Sequence, residues 1–166
     1  LITVYIPTHN RSKLLKRAIE SVLSQEYHLI ELIVIDDGSK DDTQKILDNY
    51  TNDSRVLLLR NETPMGACYC RNMAIENSSG EFITGLDDDD YFIPGRLGNL
   101  INFWQNLSEA QEKFSGVFTS AIKIEKNRAG IVNTEKVASA EKIITENIVG
   151  SQIFTKREYL LAINGF

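Results

Sequence analysis

The sequence lacks the features that mark membrane-spanning, nucleic-acid-binding and disulfide-linked proteins. No run of 18 apolar residues occurs in the 166, so no segment is predicted to span a bilayer. The formal net charge is −5 at pH 7, which argues against a general surface for nucleic acids or anionic membranes. A phosphate ligand would have to be held locally, by a metal ion, arginine side chains or backbone N–H groups. With 42% apolar residues, the chain suits one domain with a substantial core, or one domain and part of another.

Cysteine is also scarce, since Cys68 and Cys70 are the only two. Their C-x-C spacing matches neither a zinc knuckle nor a C-x-x-C redox pair. On a helix, positions i and i+2 face apart, so we expect no disulfide between them. We interpret both as ordinary small side chains in a reducing compartment.

Four consecutive aspartates, Asp87 to Asp90, follow an apolar run at residues 81–86 that predicts a strand. Two such charges ~4 Å apart repel by about 4 kcal/mol at the effective dielectric of a protein surface, so the run needs an explanation. A solvated acidic turn is one interpretation. A divalent cation is the other, because ligands collect at the carboxyl ends of strands in open α/β sheets. Oxygen ligands without a nearby His or Cys favour Mg²⁺, Mn²⁺ or Ca²⁺ over zinc, and the spacing excludes an EF-hand.

The first ninety residues alternate short apolar runs with amphipathic segments. Strands are predicted at residues 2–6, 31–35, 56–59 and 81–86, and helices around the apolar positions 14–23 and over 41–50 and 67–76. This alternation predicts an α/β fold with a mostly parallel, Rossmann-like sheet and helices on both faces. Beyond residue 94 we predict a helix over 96–107, a strand over 117–124, a polar loop over 126–136, a strand at 153–155 and a helix over 157–163.

A second acidic pair, Asp36 and Asp37, follows the strand at residues 31–35 and precedes Gly38. N-capping and helix-dipole effects explain part of this pattern, but not two acids side by side before the glycine. Because parallel strands end at the same edge of a sheet, both acidic clusters should lie there and form a pocket. His9 and Arg11, after the first strand, read singly as a turn residue and a helix-surface charge.

Five segments stand at a characteristic spacing: Ile6-Pro7-Thr8-His9-Asn10-Arg11, Ser21-Val22-Leu23-Ser24-Gln25, Glu31-Leu32-Ile33-Val34-Ile35-Asp36-Asp37-Gly38-Ser39, Gly66 with Arg71-Asn72, and Gly80-Glu81-Phe82-Ile83 running into Asp87-Asp88-Asp89-Asp90. Together they resemble glycosyltransferase family 2, in particular its nucleotide-sugar-binding part with the GT-A fold. Residues 101–150 match only weakly. Asn164-Gly165-Phe166 resembles the start of a Gly-Gly-Phe-Asp-Glu segment, with Asn for the first Gly. We therefore expect residues 1–98 to form a nucleotide-sugar-binding subdomain, 99–166 a partial acceptor-side subdomain, and the full-length chain to continue past Phe166.

The resemblance implies an inverting transfer of a sugar from a nucleotide-diphosphate sugar, with UDP-sugars expected first, to a glycan or lipid-linked acceptor in bacterial surface polysaccharide synthesis. It implies a nucleotide site formed by Pro7, Thr8, Asn10, Arg11, Asp36, Asp37, Arg71, Asp87 and Asp88. It also implies that Asp87 and Asp89 hold Mn²⁺ or Mg²⁺ as a D-x-D motif, and that the general base follows Phe166. We expect no nucleic-acid partner and a cytoplasmic location, or a peripheral one at the inner face of the membrane for the full-length protein.

The chemistry of the implied residues agrees with these roles. A carboxylate only accepts hydrogen bonds, so Asp37 could bind the N–H edge of uracil, thymine or guanine but not the unprotonated N3 of cytosine. A divalent ion held by Asp89 would neutralise the charge that develops on a diphosphate leaving group.

Two other classes of protein share parts of this pattern. A sugar-phosphate nucleotidyltransferase would carry a glycine-rich loop after the first strand, whereas residues 7–12 contain no glycine. A response-regulator-like domain, which is not an enzyme, needs an isolated phosphoacceptor aspartate on a later strand, and here that strand ends in four acids. Neither a Rossmann G-x-G-x-x-G motif nor a Walker loop is present.

Overall fold

The computed structural model describes residues 1–125, 128–132 and 152–166. Its strands are β1 Ile2–Thr8, β2 Ile30–Asp37, β3 Val56–Asn61, β4 Phe82–Gly85, β5 Gly116–Val117, β6 Ala121–Glu125, β7 Arg128–Val132 and β8 Phe154–Lys156. Its helices are α1 Ser12–Leu23, α2 Thr43–Leu47, α3 Ala67–Asn77, α4 Arg96–Glu109 and α5 Arg157–Ala162, with a 3-10 turn at Asp48–Tyr50 after α2. No helix of this described part is long and apolar enough to cross a membrane.

Six strands form one sheet in the order β3-β2-β1-β4-β8-β5, and β6 and β7 form a separate antiparallel pair. Strands β1 to β4 are mutually parallel, with β1 between β2 and β4, while β8 runs antiparallel to β4 and β5 to β8. The long apolar runs of β1 and β2 are nearly fully buried, as expected for parallel strands covered on both faces. The predicted α/β fold with a mostly parallel sheet is confirmed.

Two hydrophobic clusters cover the two faces of this sheet. Successive side chains of a strand point to opposite faces, so Val4 and Ile6 of β1 pack into one cluster and Tyr5 into the other. The larger cluster contains the apolar faces of α1 and α4, and the smaller one that of α3: Leu15, Ala18, Ile19 and Val22; Leu97, Leu100, Ile101 and Trp104; Cys70, Ala74 and Ile75. The helix predicted over residues 96–107 is confirmed as α4.

The N-terminus of α1 is capped from outside its own segment. Arg11 stands at the N-cap position without a side-chain cap, and the Ser12 N–H donates to Asp41 Oδ2 at 3.0 Å. The other oxygen of Asp41 accepts from the N–H and hydroxyl of Thr43, at the start of α2. Burial would raise the pKa of Asp41, but these hydrogen bonds outweigh it and lower the pKa to about 2. Asp41 thereby joins the two helices that follow β1 and β2.

The predictions beyond residue 110 were partly wrong. The expected strand at 117–124 is divided between β5, in the main sheet, and β6, in the separate pair. The expected loop at 126–136 is wrong for β7, which pairs with β6 so that Ile122 lies opposite Ile131. That pairing supplies backbone hydrogen bonds which the local polar composition does not reveal. The rest of the predicted loop, 126–127 and 133–136, lies outside the described residues, and the division of the chain at residue 98 remains a prediction.

Candidate functional site

A pocket of about 440 Å³ opens at the edge of the sheet where β1, β2 and β4 end. Its lining combines residues at or just after the ends of three neighbouring strands with the first turns of α3: Pro7, Thr8, His9 and Arg11; Asp37; Asp87, Asp88 and Asp89; Ala67, Cys70 and Arg71. Both acidic clusters therefore contribute to one pocket, because only one strand, β1, lies between β2 and β4 in the sheet. Most of the residues singled out in the sequence meet here.

At the β2 end of the pocket, uncharged donors hold the carboxylate of Asp37. Its Oδ1 accepts from Asn61 Nδ2 at 2.7 Å and from the Met65 N–H at 2.8 Å, and its Oδ2 accepts from the Gly66 N–H at 2.8 Å. Burial would raise the pKa of Asp37, but these hydrogen bonds outweigh it and leave the pKa below its usual value. Asp37 is thus an ionised side chain that is fixed in place. Because its donors are uncharged, they do not neutralise its negative charge.

At the β4 end, arginines and a hydroxyl hold the carboxylates of the acidic loop, residues 87–90. Thr8 Oγ1 donates to Asp88 Oδ2 at 2.7 Å. Arg11 Nη1 lies 3.1 Å from Asp88 Oδ1 and 2.7 Å from Asp89 Oδ2, so that one nitrogen bridges two carboxylates. Asp88 is buried, whereas the side chains of Arg11 and Asp89 are about half exposed, at 50% and 49%.

Arg71 connects the acidic loop to α3 and to the end of the described chain. Its Nη2 lies 3.3 Å from Asp87 Oδ1, and its guanidinium lies 5.6 Å from the ring centre of Phe166. The Asn72 side chain donates to the Phe166 carbonyl at 3.2 Å and accepts from the Phe166 N–H at 2.8 Å. The guanidinium of Arg71 is therefore paired with Asp87 and packed near the ring of Phe166.

The arginine contacts do not remove the repulsion within the acidic loop. Burial raises the pKa of Asp90, and the charges of Asp89 and Asp87 raise it further. Gln152 donates to Asp90 Oδ2 at 2.8 Å, and Arg17 donates to the main-chain oxygen of Asp89 at 2.6 Å. The loop thus keeps an excess of negative charge beside the pocket.

Two predicted nucleotide-binding residues, Asp36 and Asn10, do not line the pocket, and their contact with a nucleotide remains a prediction. Asp36 is fully buried, and its carboxylate accepts from the Ser39 N–H at 2.9 Å and from Arg60. The Asn10 side-chain oxygen accepts from the Lys40 N–H at 2.8 Å. Both side chains hold the turn after β2 in position, a role that the sequence does not distinguish from ligand binding.

The pocket also contains residues that the sequence did not single out as ligand-binding, namely His9, Ala67 and Cys70. His9 Nδ1 donates to the main-chain oxygen of Asp37 at 2.7 Å, which places the ring between the ends of β1 and β2. Burial, followed by the charge of Asp37, raises the pKa of Cys70 to about 12, so this thiol is not a reactive thiolate near neutral pH. The position of His9 directly after the first strand is the feature of the sequence that could have indicated its place in the pocket.

The acidic loop fits a divalent ion of the kind that is completed by a ligand's phosphates. In the described part of the chain, no group of three or more His, Cys, Asp or Glu side chains is arranged as a metal site. Mg²⁺ commonly binds through one or two carboxylates together with substrate phosphates, and it does not require a cage made only of protein. Asp87 and Asp89 offer hard oxygen atoms at the pocket wall, with side chains 41% and 49% exposed.

The chain has the GT-A type fold. The chain belongs to glycosyltransferase family 2, whose model, described as "Glycosyl transferase family 2", matches residues 3–161. The matched region includes every residue that lines the pocket, from Pro7 to Asp89.

Three similar proteins illustrate the relationship. A putative colanic acid biosynthesis glycosyl transferase of Escherichia coli K12 is 36% identical over 159 residues, 93% of this chain and 56% of that protein. An Escherichia coli UDP-Glc:alpha-D-GlcNAc-diphosphoundecaprenol beta-1,3-glucosyltransferase is 30% identical over 177 residues, 99% of this chain and 69% of that protein. A mannosyltransferase from Pyrobaculum calidifontis, solved with GDP-Man and Mn²⁺, superposes with a TM-score of 0.71 at 19% identity, covering 99% of this chain and 47% of the other. The chain spans about half the length of the first of these relatives.

Proposed function

We propose that the pocket binds a nucleotide-diphosphate sugar, with UDP-sugars as the preferred donors, for inverting transfer to a glycan or lipid-linked acceptor. The observation that carries this proposal is the pair of acidic sites on either side of β1, with Asp37 at one end and Asp87 and Asp89 at the other. Neighbouring strands lie about 4.8 Å apart, so two strand spacings separate the sites by about 10 Å. A base at one end and a diphosphate at the other would span such a distance.

Asp37 is the proposed acceptor for the N–H edge of the base. Its Oδ1 already accepts two hydrogen bonds and its Oδ2 one, which leaves capacity at Oδ2 for one further donor. Uracil N3–H is such a donor, whereas the N3 of cytosine carries no hydrogen. Pro7 and Thr8, at the end of β1, would border the nucleotide between the two acidic ends.

The other end of the pocket is the proposed diphosphate site. Asp87 and Asp89 would hold Mn²⁺ or Mg²⁺, and Arg71 and Arg11 are positioned to contact phosphate oxygens beside it. The ion, when bound, would act as a Lewis acid that neutralises the charge on the departing diphosphate. Arginine contacts supply the same kind of charge stabilisation from the protein itself.

The relatives support the class of acceptor that we propose. One of them is named as a glucosyltransferase acting on a GlcNAc-diphosphoundecaprenol, and another as an enzyme of colanic acid synthesis. By this similarity, we propose a lipid-linked acceptor in bacterial surface polysaccharide synthesis, with the full-length protein working at the cytoplasmic face of the membrane.

Calorimetry of the protein with UDP, GDP, TDP and CDP, each with Mn²⁺ and with EDTA, tests the proposal. We expect UDP to bind more tightly than CDP, and UDP binding to weaken in EDTA. Asp37→Asn should weaken UDP binding by about 1 to 3 kcal/mol, the range for a hydrogen bond to a charged group, and should leave CDP binding little changed. A preference for CDP, or equal UDP affinity in Mn²⁺ and EDTA, would contradict the base or the metal assignment respectively.

A further inference from the structure

The acidic loop is occupied by a cation of the protein itself. Arg11 Nη1 contacts Asp88 Oδ1 at 3.1 Å and Asp89 Oδ2 at 2.7 Å, and Asp89 is one of the two proposed metal ligands. The guanidinium at Asp89 Oδ2 repels a divalent ion that approaches the same carboxylate, and it already neutralises the negative charge that would attract the ion. The arrangement therefore raises the question of which cation Asp89 holds in the absence and in the presence of nucleotide.

We propose that Arg11 is an internal counter-ion that competes with the divalent ion for Asp89, and that it transfers to the diphosphate when nucleotide and metal bind together. This inference rests on the proposed function of the pocket. It predicts that the protein binds metal weakly by itself and more tightly with nucleotide, because nucleotide phosphates supply ligands to the metal and a new partner to Arg11.

The different exposures of Arg11, Asp88 and Asp89 are suited to such an exchange. Asp89 and Arg11 are both about half exposed, and exposed ion pairs contribute little, so a divalent ion can displace the guanidinium. Asp88 is 7% exposed and is also held by Thr8, so it keeps Arg11 near the pocket after Asp89 is released. Arg11 could then move from one partner to the other without leaving the site.

The neighbouring arginines are less suited to this role. Arg71 is 17% exposed and packs near the ring of Phe166, and its 3.3 Å contact with Asp87 is longer than either contact of Arg11. Arg17 donates to the main-chain oxygen of Asp89, and its guanidinium lies 4.7 Å from the ring centre of Tyr91. Of these three arginines, Arg11 is the one that contacts the carboxylate of Asp89.

The first measurement is Mn²⁺ binding without nucleotide, detected by calorimetry or through the paramagnetic resonance signal of free Mn²⁺. Arg11→Met should bind Mn²⁺ about two- to fivefold more tightly than the unmodified protein, the factor that corresponds to losing one exposed ion pair. Arg11→Lys, which keeps the charge, should remain close to the unmodified protein. Lys16→Met removes one positive charge from the same helix, where Lys16 pairs with Glu20, and should leave Mn²⁺ binding unchanged.

The second measurement is UDP binding at saturating Mn²⁺, where the effect should have the opposite sign. Arg11→Met should weaken UDP about five- to tenfold, because the diphosphate loses a charged partner. A variant that merely loosened the loop would weaken both ligands. Arg11→Gln, with its melting temperature measured alongside, repeats both tests if Arg11→Met does not fold.

The outcomes separate this inference from the proposed function. If UDP binding by the unmodified protein does not depend on Mn²⁺, the metal assignment in the proposed function is wrong, and the inference that rests on it is overturned with it. If that dependence is present but Arg11→Met and Arg11→Gln bind Mn²⁺ no more tightly without nucleotide, the competition is overturned and the proposed function stands. Tighter Mn²⁺ together with weaker UDP supports the inference.

Discussion

The two ends of the pocket use the same residue type in opposite ways. At the β2 end, Asp37 is only 6% exposed and is held by an amide side chain and two backbone N–H groups. At the β4 end, Asp89 is about half exposed and is paired with Arg11. Neutral donors fix a carboxylate without cancelling its charge, whereas an arginine cancels the charge and can be exchanged for another cation.

This difference indicates a division of labour along the pocket. A fixed and buried acceptor discriminates among bases, because a base that offers no N–H brings an acceptor against the carboxylate in place of a donor. An exposed and compensated acidic loop suits a ligand that arrives with its own cation. The following predictions test this contrast through the unfolding free energy, from the largest expected change to the smallest.

Asp37→Ala should cause the largest loss of stability, about 3 kcal/mol in the unfolding free energy measured by urea denaturation. The substitution removes the acceptor for the Asn61 side chain, which is buried, and for the N–H groups of Met65 and Gly66, which lie in an exposed loop where water can partly replace it. An unpaired buried donor costs about 1 to 3 kcal/mol, and the two exposed donors add less. A loss equal to that of Asp89→Ala, the matched change at the other end, would contradict the contrast.

Gly66→Ala should lower the unfolding free energy, measured by urea denaturation, by about 2 kcal/mol. Gly66 has φ 94° and ψ 161°, a region that residues with a Cβ rarely adopt, and its N–H donates to Asp37 Oδ2. No atom lies within 4 Å of the added Cβ, so the cost is one of backbone conformation. The loop that carries Asp37's donors should be disturbed with it.

Gly98→Ala is the matched control for that substitution. Gly98 lies inside α4, where an added Cβ also meets no atom within 4 Å and the backbone φ is not positive. Alanine is the better helix former, so this variant should be more stable by about 0.5 to 1 kcal/mol. Equal effects of the two substitutions would show that the conformation of Gly66 is not a constraint.

The pH dependence of the unfolding free energy should distinguish the unmodified protein from the Asp37→Asn variant. Hydrogen bonds keep the pKa of folded Asp37 below the unfolded value of 3.8, so its ionised form contributes stability above that value. The advantage of the unmodified protein over Asp37→Asn should therefore be constant above about pH 5 and shrink as the pH falls through the folded pKa. Denaturation curves of both proteins from pH 3 to 7 would measure it. An advantage that grew on acidification would contradict the assignment.

Most of the parallel half of the fold could be predicted from the sequence because local signals there agree with tertiary structure. The apolar runs of β1 and β2 are buried as expected. Asp37 at the end of β2 and the acids after β4 reach one pocket because parallel strands share an edge. The antiparallel additions were harder. The two residues of β5 form a strand only because β8, nearly forty residues later, pairs with them.

Within the site, the sequence could identify acidic residues but not their partners. Asp36 and Asp37 are adjacent and look alike in the sequence, yet the alternation of a strand points one toward Arg60 and the other into the pocket. Arg11 reads as a surface charge on a helix, and only the approach of α1 to the acidic loop places it between Asp88 and Asp89. Such pairings depend on side chains almost eighty residues apart in the chain.

Asp89→Ala should have the smallest effect on stability and a large effect on metal dependence. Arg11 loses its 2.7 Å partner but keeps Asp88 at 3.1 Å, and an exposed ion pair contributes about 0 to 1 kcal/mol, so the unfolding free energy should change by less than about 1 kcal/mol. Asp42→Ala, which removes an exposed carboxylate paired with Lys45, is the matched control and should behave alike in denaturation. Only Asp89→Ala should make UDP affinity the same in Mn²⁺ and in EDTA, because it alone removes a proposed metal ligand. If Asp89→Ala kept the metal dependence of the unmodified protein, the ion would have to be held elsewhere, and the acidic loop would be no more than a solvated turn.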